Sequence, residues 1–516
     1  MGCAEIIMEP GLPEDVTACH ELIRELILAL ESSRSDVALL KQRLQGLLRA
    51  RHGSSTEKLS LGQLSLFREQ LETLLEETAS TVAGPEERPE SAPSGSMRKR
   101  AGGGRKVISP SLPRVRKDYY PDESEMFCSC CGKRKKEFGV EIQEKLDYIP
   151  ASFSVIERAT HKFVCEECEE GVVEGQRPPQ LHSGAKATEG MIAQVSVCKY
   201  TDHQPLYRQE QIYVREGAEV PRSSMGRWLN MSAQDLKGIV ERMHELVLGS
   251  RVVQGDESPV KFIDKTRSIK KIKTGYVWAL YGDDEHPYNI LNFRPDRTAE
   301  NARELLTGYG GILLTDGYGG YDWYERELSA NCNVHLRRYL EKALKYDKEK
   351  AGLLMGMYSK IYEIEKRGKE LTENQVLELR QRETVPILSA MKEKLEAWKP
   401  YIPPKTPLGI AINYALPRWD KLCRFTQYAF LRPDTNLVEN AIRPVALGRK
   451  NWLHVGSEEA LETASIHASL NSTCKRLNVN PYWYLRDVLI RLGQGADDLD
   501  ELLPDRWTNQ NLPHPT

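Results

Sequence analysis

The sequence predicts a multidomain α+β chain: a helical N-terminal region, a small cysteine-closed ribbon, and an α/β core interrupted by a block of helices. Three observations predict it. Leucines recur at threes and fours between residues 20 and 50. Two CxxC pairs stand 33 residues apart. Two apolar runs, in Arg251–Val260 and Gly311–Tyr318, each end in an aspartate, with two strand-like runs and one helix-like run between them.

At 516 residues the chain is long enough for several domains. No apolar run approaches the ~20 residues that a membrane span needs. The N-terminus, MGCAEIIMEPGLPEDV, lacks a basic stretch ahead of an apolar core, so no secretory signal is expected. Met1-Gly2 reads as a chance glycine, because Ile6 stands where a myristoylation signal wants Ser or Thr. Eleven cysteines, an odd number, argue against a disulfide framework and for a reducing compartment. The net charge of −2 does not announce a nucleic-acid partner, so that reading has to come from where the charges lie.

Residues 1–77 form the first segment. Leu22, Leu26 and Leu30, then Val37, Leu40, Leu44, Leu47 and Leu48, give a helical period. A short coiled coil that dimerises the chain and a helical hairpin packed on itself both fit, since Ser32-Ser33 breaks the heptads. Residues 78–117 read as a linker: Pro85, Pro89 and Pro93 punctuate a Glu/Ser-rich run, and Gly102-Gly103-Gly104 follows. Its second half carries Arg98, Lys99, Arg100, Arg105, Lys106, Arg114, Arg116 and Lys117 and no acid. Tethered cations of this kind suit phosphate contact without reading sequence; a solvated linker is the plainer alternative.

Residues 118–180 hold Cys128-Ser129-Cys130-Cys131 and Cys165-Glu166-Glu167-Cys168. A CxxC pair puts two thiolates on one tight knuckle, and two knuckles close a tetrahedral zinc site, so Cys128, Cys131, Cys165 and Cys168 are the expected Zn²⁺ ligands. Gly132 supplies the turn, and Cys130 points the wrong way for the same knuckle. Val140–Tyr148 and Phe153–Val164 alternate like two strands of a ribbon. Such a ribbon serves as a DNA clamp or only as a fold staple.

Residues 181–249 read as helices over Ala187–Cys198, Pro205–Glu216, Ser223–Met231 and Ala233–Leu248. The third, with Arg227 and Trp228 behind Pro221, fits a recognition helix after a turn, or equally a helical collar on the core.

The core is expected over 250–344 and 431–475, with a helical insertion over 345–430 and a C-terminal helix and tail over 476–516. Its run order is strand, strand (Gly275–Tyr281), strand (Tyr288–Phe293), helix (Thr298–Leu306), strand. Pro259 is expected to stop the first strand, leaving Asp256 at a rim. Asp316 ends the later strand, followed by Gly317. The third acid, Glu439, shares a helix face with Asn436 and Arg443, and Arg449, Lys450 and Trp452 follow. A surface Glu–Arg pair is the bland alternative.

Three convergent carboxylates suit phosphoryl transfer on DNA. Mg²⁺, or Mn²⁺, binds through a few carboxylates plus substrate phosphate, and two such ions about 3.5–4 Å apart serve both ends of an in-line displacement. Asp256, Asp316 and Glu439 are the expected ligands. Other acids fit less well: Glu257 faces away from Asp256 on a strand, Asp283-Asp284 sits in a hairpin-like turn, and Asp264, Asp296 and Asp322 follow no buried strand. His335, in Cys332-Asn333-Val334-His335, is a candidate proton donor or phosphate contact, or else a surface histidine.

The chain resembles the insertion-sequence-66 family of bacterial transposases. The motifs run in order: RHGSSTEKL (51–59), the two CxxC pairs, PLYRQEQIYVREG (205–217), GDESPV (255–260), TDGYGGYD (315–322), CNVHLRRYLEKAL (332–344), NLVENAIRPVALGRKNWLHVGS (436–457) and NPYWYLRDVL (480–489). The resemblance implies an Asp-Asp-Glu triad at Asp256, Asp316 and Glu439 in a ribonuclease-H-like core. Ser258 stands where the family usually has Thr. It also implies cleavage at the element's terminal repeats and strand transfer to target DNA, in the bacterial cytoplasm at the nucleoid. A homo-oligomer is expected, with small accessory proteins encoded by the same element as further partners and no membrane. Arg227, Arg443, Arg449 and Lys450 join the basic linker as expected DNA contacts. A non-catalytic DNA-binding derivative and a structure-specific nuclease are the rival functions. A derivative would bind ends without cutting, and a nuclease would cut without joining.

Overall fold

A computed structural model of the chain describes residues 115–508, apart from 117, 138–139, 144–145, 147–151, 165–171, 177–179, 183 and 267–270. The N-terminal helices, the basic residues Arg98 to Lys106, and Cys165 and Cys168 lie outside the described residues. The chain divides into two units, 84–157 and the remainder.

In the first unit, a 3-10 turn at Glu123–Met126 leads into the first knuckle. Phe127 bridges Arg134, and Gly132 turns the chain with φ 67°. The two long ribbon strands expected over Val140–Tyr148 and Phe153–Val164 do not form among the described residues. Only Lys162–Phe163 (β1) is extended into a ladder, and it pairs with Val173–Glu174 (β2), both in the second unit. The alternating pattern finds no second layer: Val140, Ile142, Val155 and Ile156 are all exposed, and two strands alone are marginal in water.

The second unit is built on a five-stranded sheet. Its strands are Val252–Ile263 (β3), Ile272–Tyr281 (β4), Asn289–Arg294 (β5), Ile312–Thr315 (β6) and Ser329–Asn331 (β7), ordered β5-β4-β3-β6-β7. β4 is antiparallel to both β3 and β5; β6 and β7 run parallel to β3. The expected order of runs is therefore observed, with one correction. β3 does not stop at Pro259 but continues to Ile263. β6 pairs only with Val252–Gln254, which leaves that edge of β3 without a strand partner until Val455 bridges it at Phe262. The Pro259 carbonyl faces that edge and accepts from Arg449, so the missing N–H leaves no ladder bond unmade.

Helices cover both faces. Glu189–Tyr200 (α1), Leu206–Arg215 (α2) and Arg222–Val247 (α3) precede the sheet. Two helices separated at Ser232 are expected over 223–248, yet α3 is continuous. Ser232 Oγ donates back to the Trp228 and Leu229 carbonyls, which satisfies the hydroxyl within the helix. Trp228 is buried in the core with Met225, Leu236 and Met243, so this helix is a collar on the sheet rather than a free recognition helix. The short Ala299–Leu305 (α4) crosses from β5 to β6. After β7 come Asn333–Ala343 (α5) and the inserted helices Lys348–Gly368 (α6), Glu373–Leu379 (α7), Val385–Trp398 (α8), Pro407–Ala415 (α9) and Trp419–Cys423 (α10). Their core is continuous with Ile312, Leu314 and Ala330 of the sheet.

Asn436–Trp452 (α11) and Glu459–Arg476 (α12) return to pack on β3, β4 and β5, and Pro481–Gly493 (α13) joins the cluster around α1 and α3. α12 also closes the sheet edge. Ser465, Ser469 and Thr473, one turn apart, accept from the Phe293, Leu291 and Asn289 backbone N–H groups of β5. An edge that would otherwise offer unpaired donors is thereby capped.

Candidate active site

Register places the first two acids. Gln254 of β3 pairs with Leu314 of β6 in a parallel ladder. Two residues beyond that last pair come Asp256, still within β3, and Asp316, the first residue after β6. Alternation then sets the face. Gln254 accepts from the Val438 backbone N–H of α11, and Ser258 accepts from Arg449 of the same helix. Asp256 lies between them in sequence and on the same face, so it points beneath α11, the helix that carries Glu439 in its first turn.

Each aspartate is fixed through one oxygen. Asp256 Oδ1 accepts from the Glu257 N–H at 2.9 Å, and Asp316 Oδ1 accepts from the Tyr318 N–H at 2.8 Å. Gly317 makes the second turn possible: its φ is 87°, and a Cβ there would stand 2.9 Å from Arg418 Nε. Tyr414 of α9 donates to the Asp316 carbonyl at 2.6 Å, and Arg418 donates to the Gly317 carbonyl. The helical insertion thus grips the turn that bears the second acid.

Glu439 meets α5. Arg338 donates to its Oε2, and His335 Nε2 stands 4.0 Å from its Oε1. The Asp256 carboxyl is pushed up to about 7, first by burial and then by Glu257, Asp316 and Glu439. Burial holds the His335 imidazole below its ordinary range against the pull of Asp316 and Glu439, so it is neutral at pH 7. These mutual effects bring Asp256, Asp316, Glu439 and His335 into one electrostatic neighbourhood.

Glu257 faces away from Asp256 as alternation requires, yet it is no surface acid. Its side chain is fully buried, paired with Arg297 and accepting from Tyr321. Arg297 stacks 3.6 Å from the Tyr318 ring centroid, which ties this second acid to the Asp316 turn. Arg338, Arg297, Tyr321 and Tyr414 were not legible as site residues. Only the i, i+3 spacing of His335 and Arg338 on one helix carried a signal.

The other candidates scatter. Arg443 and Lys450 are exposed on α11, and Arg227 is exposed on α3. Arg449 is spent on Ser258 and Pro259, where it clamps α11 to β3. In the first unit the Cys128 thiol is held below its ordinary range by hydrogen bonds from the Cys131 and Cys130 backbones and the Cys131 thiol. A thiolate stabilised on a CxxC turn is what a Zn²⁺ knuckle requires.

The residues at the acids also suit a hard cation. Glu439 Oε1 and Asn331 Oδ1 are buried acceptors without a donor, and a desolvated carboxylate at pKa about 7 beside two others gains most from a positive ion. Among the described residues no three His, Cys, Asp or Glu side chains close around a single point, and Glu439 is paired with Arg338.

The raised Asp256 pKa has a measurable consequence. Between about pH 4 and 7 the folded chain keeps a proton that the unfolded chain has lost, so stability falls as pH rises through that window. Asp256→Asn should therefore melt above wild type at pH 8 in a chelator, by about 1–3 kcal/mol, and match it below about pH 4. Added Mg²⁺ should narrow the gap by stabilising wild type. A less stable variant at pH 8 would mean that the carboxylate makes a structural bond.

The sequence model for the "Transposase IS66 family" matches residues 184–463. The "zinc-finger binding domain of transposase IS66" matches 125–169, the "IS66 C-terminal element" 469–504, and the "Transposase C of IS166 homeodomain" 39–116. Among curated proteins, y4qI of Sinorhizobium fredii is 31% identical, covering 92% of this chain and 90% of its own. A second protein of the same organism, y4jD, is 29% identical over 96% of this chain and 97% of its own. Both carry only the description "Uncharacterized protein".

Proposed function

The chain belongs to the IS66 family of transposases, and from that premise we propose that it cuts DNA at the ends of a bacterial insertion sequence and joins them to a target through Asp256, Asp316 and Glu439. The observation that carries the reading is that Asp256 lies on the β3 face beneath the helix bearing Glu439, while Asp316 directly follows β6, the strand paired with the start of β3. The sheet order β5-β4-β3-β6-β7, three antiparallel strands and two parallel ones, supports a ribonuclease-H-like core. No helix among the described residues is long and apolar enough to cross a membrane.

The three carboxylates would hold Mg²⁺ or Mn²⁺. Bound there, the ions would sharpen an oxygen nucleophile and stabilise the leaving oxyanion. The chain's own groups position the reaction. The backbone-tethered oxygens of Asp256 and Asp316 fix the direction of each carboxylate, and Arg338 fixes Glu439. Neutral His335, beside Glu439, is placed to hydrogen-bond a phosphate oxygen or pass a proton to a departing one. In the first step a water oxygen attacks phosphorus and the 3′-oxygen leaves, taking up a proton. In the second that 3′-hydroxyl attacks a target phosphate, loses its proton, and displaces the target's own 3′-oxygen.

The zinc ribbon and the basic linker would grip the ends, and the N-terminal helices would assemble the homo-oligomer. Small accessory proteins of the same element would complete the assembly at the nucleoid. Incubating the full chain with a duplex copied from the DNA flanking its gene, a second duplex and Mg²⁺ tests the reading. Cut ends joined to the second duplex are expected. Cutting without joining would make it a nuclease, and binding without cutting a derived DNA-binding protein.

A further inference from the structure

Glu439 takes its counter-charge from an unexpected quarter. Arg443 stands one turn along α11 from it, the ordinary spacing for a surface pair, yet Arg443 is exposed and pairs with no described acid. Glu439 pairs instead with Arg338 of α5, 101 residues away in the chain.

Three features distinguish this pair from a clamp between two helices. The first is that it is one-pronged. Arg338 reaches Glu439 Oε2 through Nη2 alone, and its Nη1 stands 3.4 Å from His335 Nε2. Glu439 Oε1 is buried and accepts no hydrogen bond. A guanidinium that locks a carboxylate commonly uses two parallel bonds, one to each oxygen.

The second is the placement of the two charges. The Glu439 side chain is 17% exposed and that of Arg338 is 47% exposed. The acid lies inside and the cation lies at the mouth. Arg338 can turn toward solvent at little cost, whereas Glu439 stays desolvated and needs a positive partner wherever it points.

The third is the reach of the neighbouring acids. Burial works against the Arg338 charge, and Glu439, Cys332 and Asp256 outweigh it. The guanidinium therefore sits in the field of the same carboxylates that suit a hard cation.

Arg338 and a divalent ion thus want the same oxygens. An ion shared by Asp256, Asp316 and Glu439 carries two charges against one, and it gains from all three acids together. Once Glu439 turns to such an ion, Arg338 keeps its charge, because a guanidinium does not give up its proton. No other described carboxylate pairs with it. Its neighbour Arg337 is already engaged with Glu341. A half-exposed planar fork beside the carboxylates matches two non-bridging oxygens of a phosphodiester.

We propose that Arg338 changes partners during the reaction: it neutralises Glu439 until divalent ions engage that carboxylate, and it then binds a DNA phosphate at the carboxylate site. Ion loading and DNA grip are linked through one side chain. The proposal rests on the DNA-cutting reading above.

The test uses the full chain in two arms. In the first, without DNA, Mn²⁺ binding is followed by electron paramagnetic resonance. Arg338→Met should bind Mn²⁺ about tenfold tighter than wild type, because the ion no longer displaces a charge-assisted bond. Arg338→Lys should stay close to wild type. In a Glu439→Gln background Arg338→Met should bring no gain, which places the competition at that carboxylate. In the second arm, binding of the flanking-DNA duplex is titrated with salt, once in Ca²⁺ and once in a chelator. Arg338→Met should flatten the salt slope by about one in Ca²⁺ and leave it unchanged in the chelator. A merely structural arginine gives neither result. Arg338→Gln, which removes the charge and keeps a donor for Glu439, carries both arms if Arg338→Met does not fold. Mn²⁺ binding that is unchanged or weaker in a folded variant overturns the exchange, as do equal slopes with and without Ca²⁺; a wild type that still cuts and joins the duplex then leaves the transposase reading standing. A wild type that neither binds nor cuts overturns that reading and the phosphate half of the exchange with it.

Discussion

Asp316→Asn is expected to reduce end cleavage by at least about 10²–10³-fold while DNA binding stays near wild type. The asymmetry follows from what the side chain touches. One Asp316 oxygen accepts the Tyr318 N–H, a bond that the asparagine carbonyl oxygen can also accept, so the turn keeps its shape. The surrounding grip is backbone-directed: Tyr414 holds the Asp316 carbonyl and Arg418 the Gly317 carbonyl, and neither contact needs the carboxylate. What is lost is a negative charge beside Asp256, and with it the affinity for divalent ions. Measuring cleavage and filter binding on the same preparation checks this. Equal loss of both would make Asp316 a structural acid.

Removing zinc is expected to have the largest effect on folding. Structural Zn²⁺ contributes about 10–16 kcal/mol in small isolated modules, which a ribbon this short cannot replace. Among the described residues of the first unit the apolar side chains do not form a core: Val140, Ile142, Leu146 and Val155 are all exposed. Metal-thiolate bonds must therefore supply most of the local order. Cys128→Ser, Cys165→Ser or a strong chelator should unfold residues 128–168 and leave the sheet unit folded. Hydrogen exchange should show complete loss of protection in the ribbon and little change in β3 or α3. A protected, metal-free ribbon would contradict the zinc assignment.

The sheet was legible because its strands announce themselves through short apolar runs, and because two of those runs end in an acid. Glu439 was singled out by an unusual polar neighbourhood on one helix face, and the helix it predicted forms over Asn436–Trp452. Three features were not legible. Pro259 normally ends a strand, and β3 continues because Pro259 sits on the stretch of edge that β6 leaves unpaired, before the Val455 bridge at Phe262. Ser232 looks like a break, and its local back-bond to the Trp228 carbonyl keeps the helix continuous, which spacing does not reveal. Arg338, Arg297 and Tyr414 act on the acids from elements far away in the chain, and no local pattern marks a residue whose role depends on where another element packs. Arg449, a cation beside an aromatic in the sequence, also clamps a helix to a strand in the fold, which local spacing did not reveal.

Iron-directed cleavage of the polypeptide tests the shared-ion site most directly. Fe²⁺ replaces Mg²⁺ at carboxylate sites, and hydroxyl radicals made there cut only nearby backbone. With the full chain on its end duplex, cuts are expected around Asp256, Asp316 and Glu439 together, and all three should fade in parallel as Mg²⁺ is added. Cuts near the two aspartates alone, with the start of α11 untouched, would place Glu439 outside the site and contradict the three-carboxylate account.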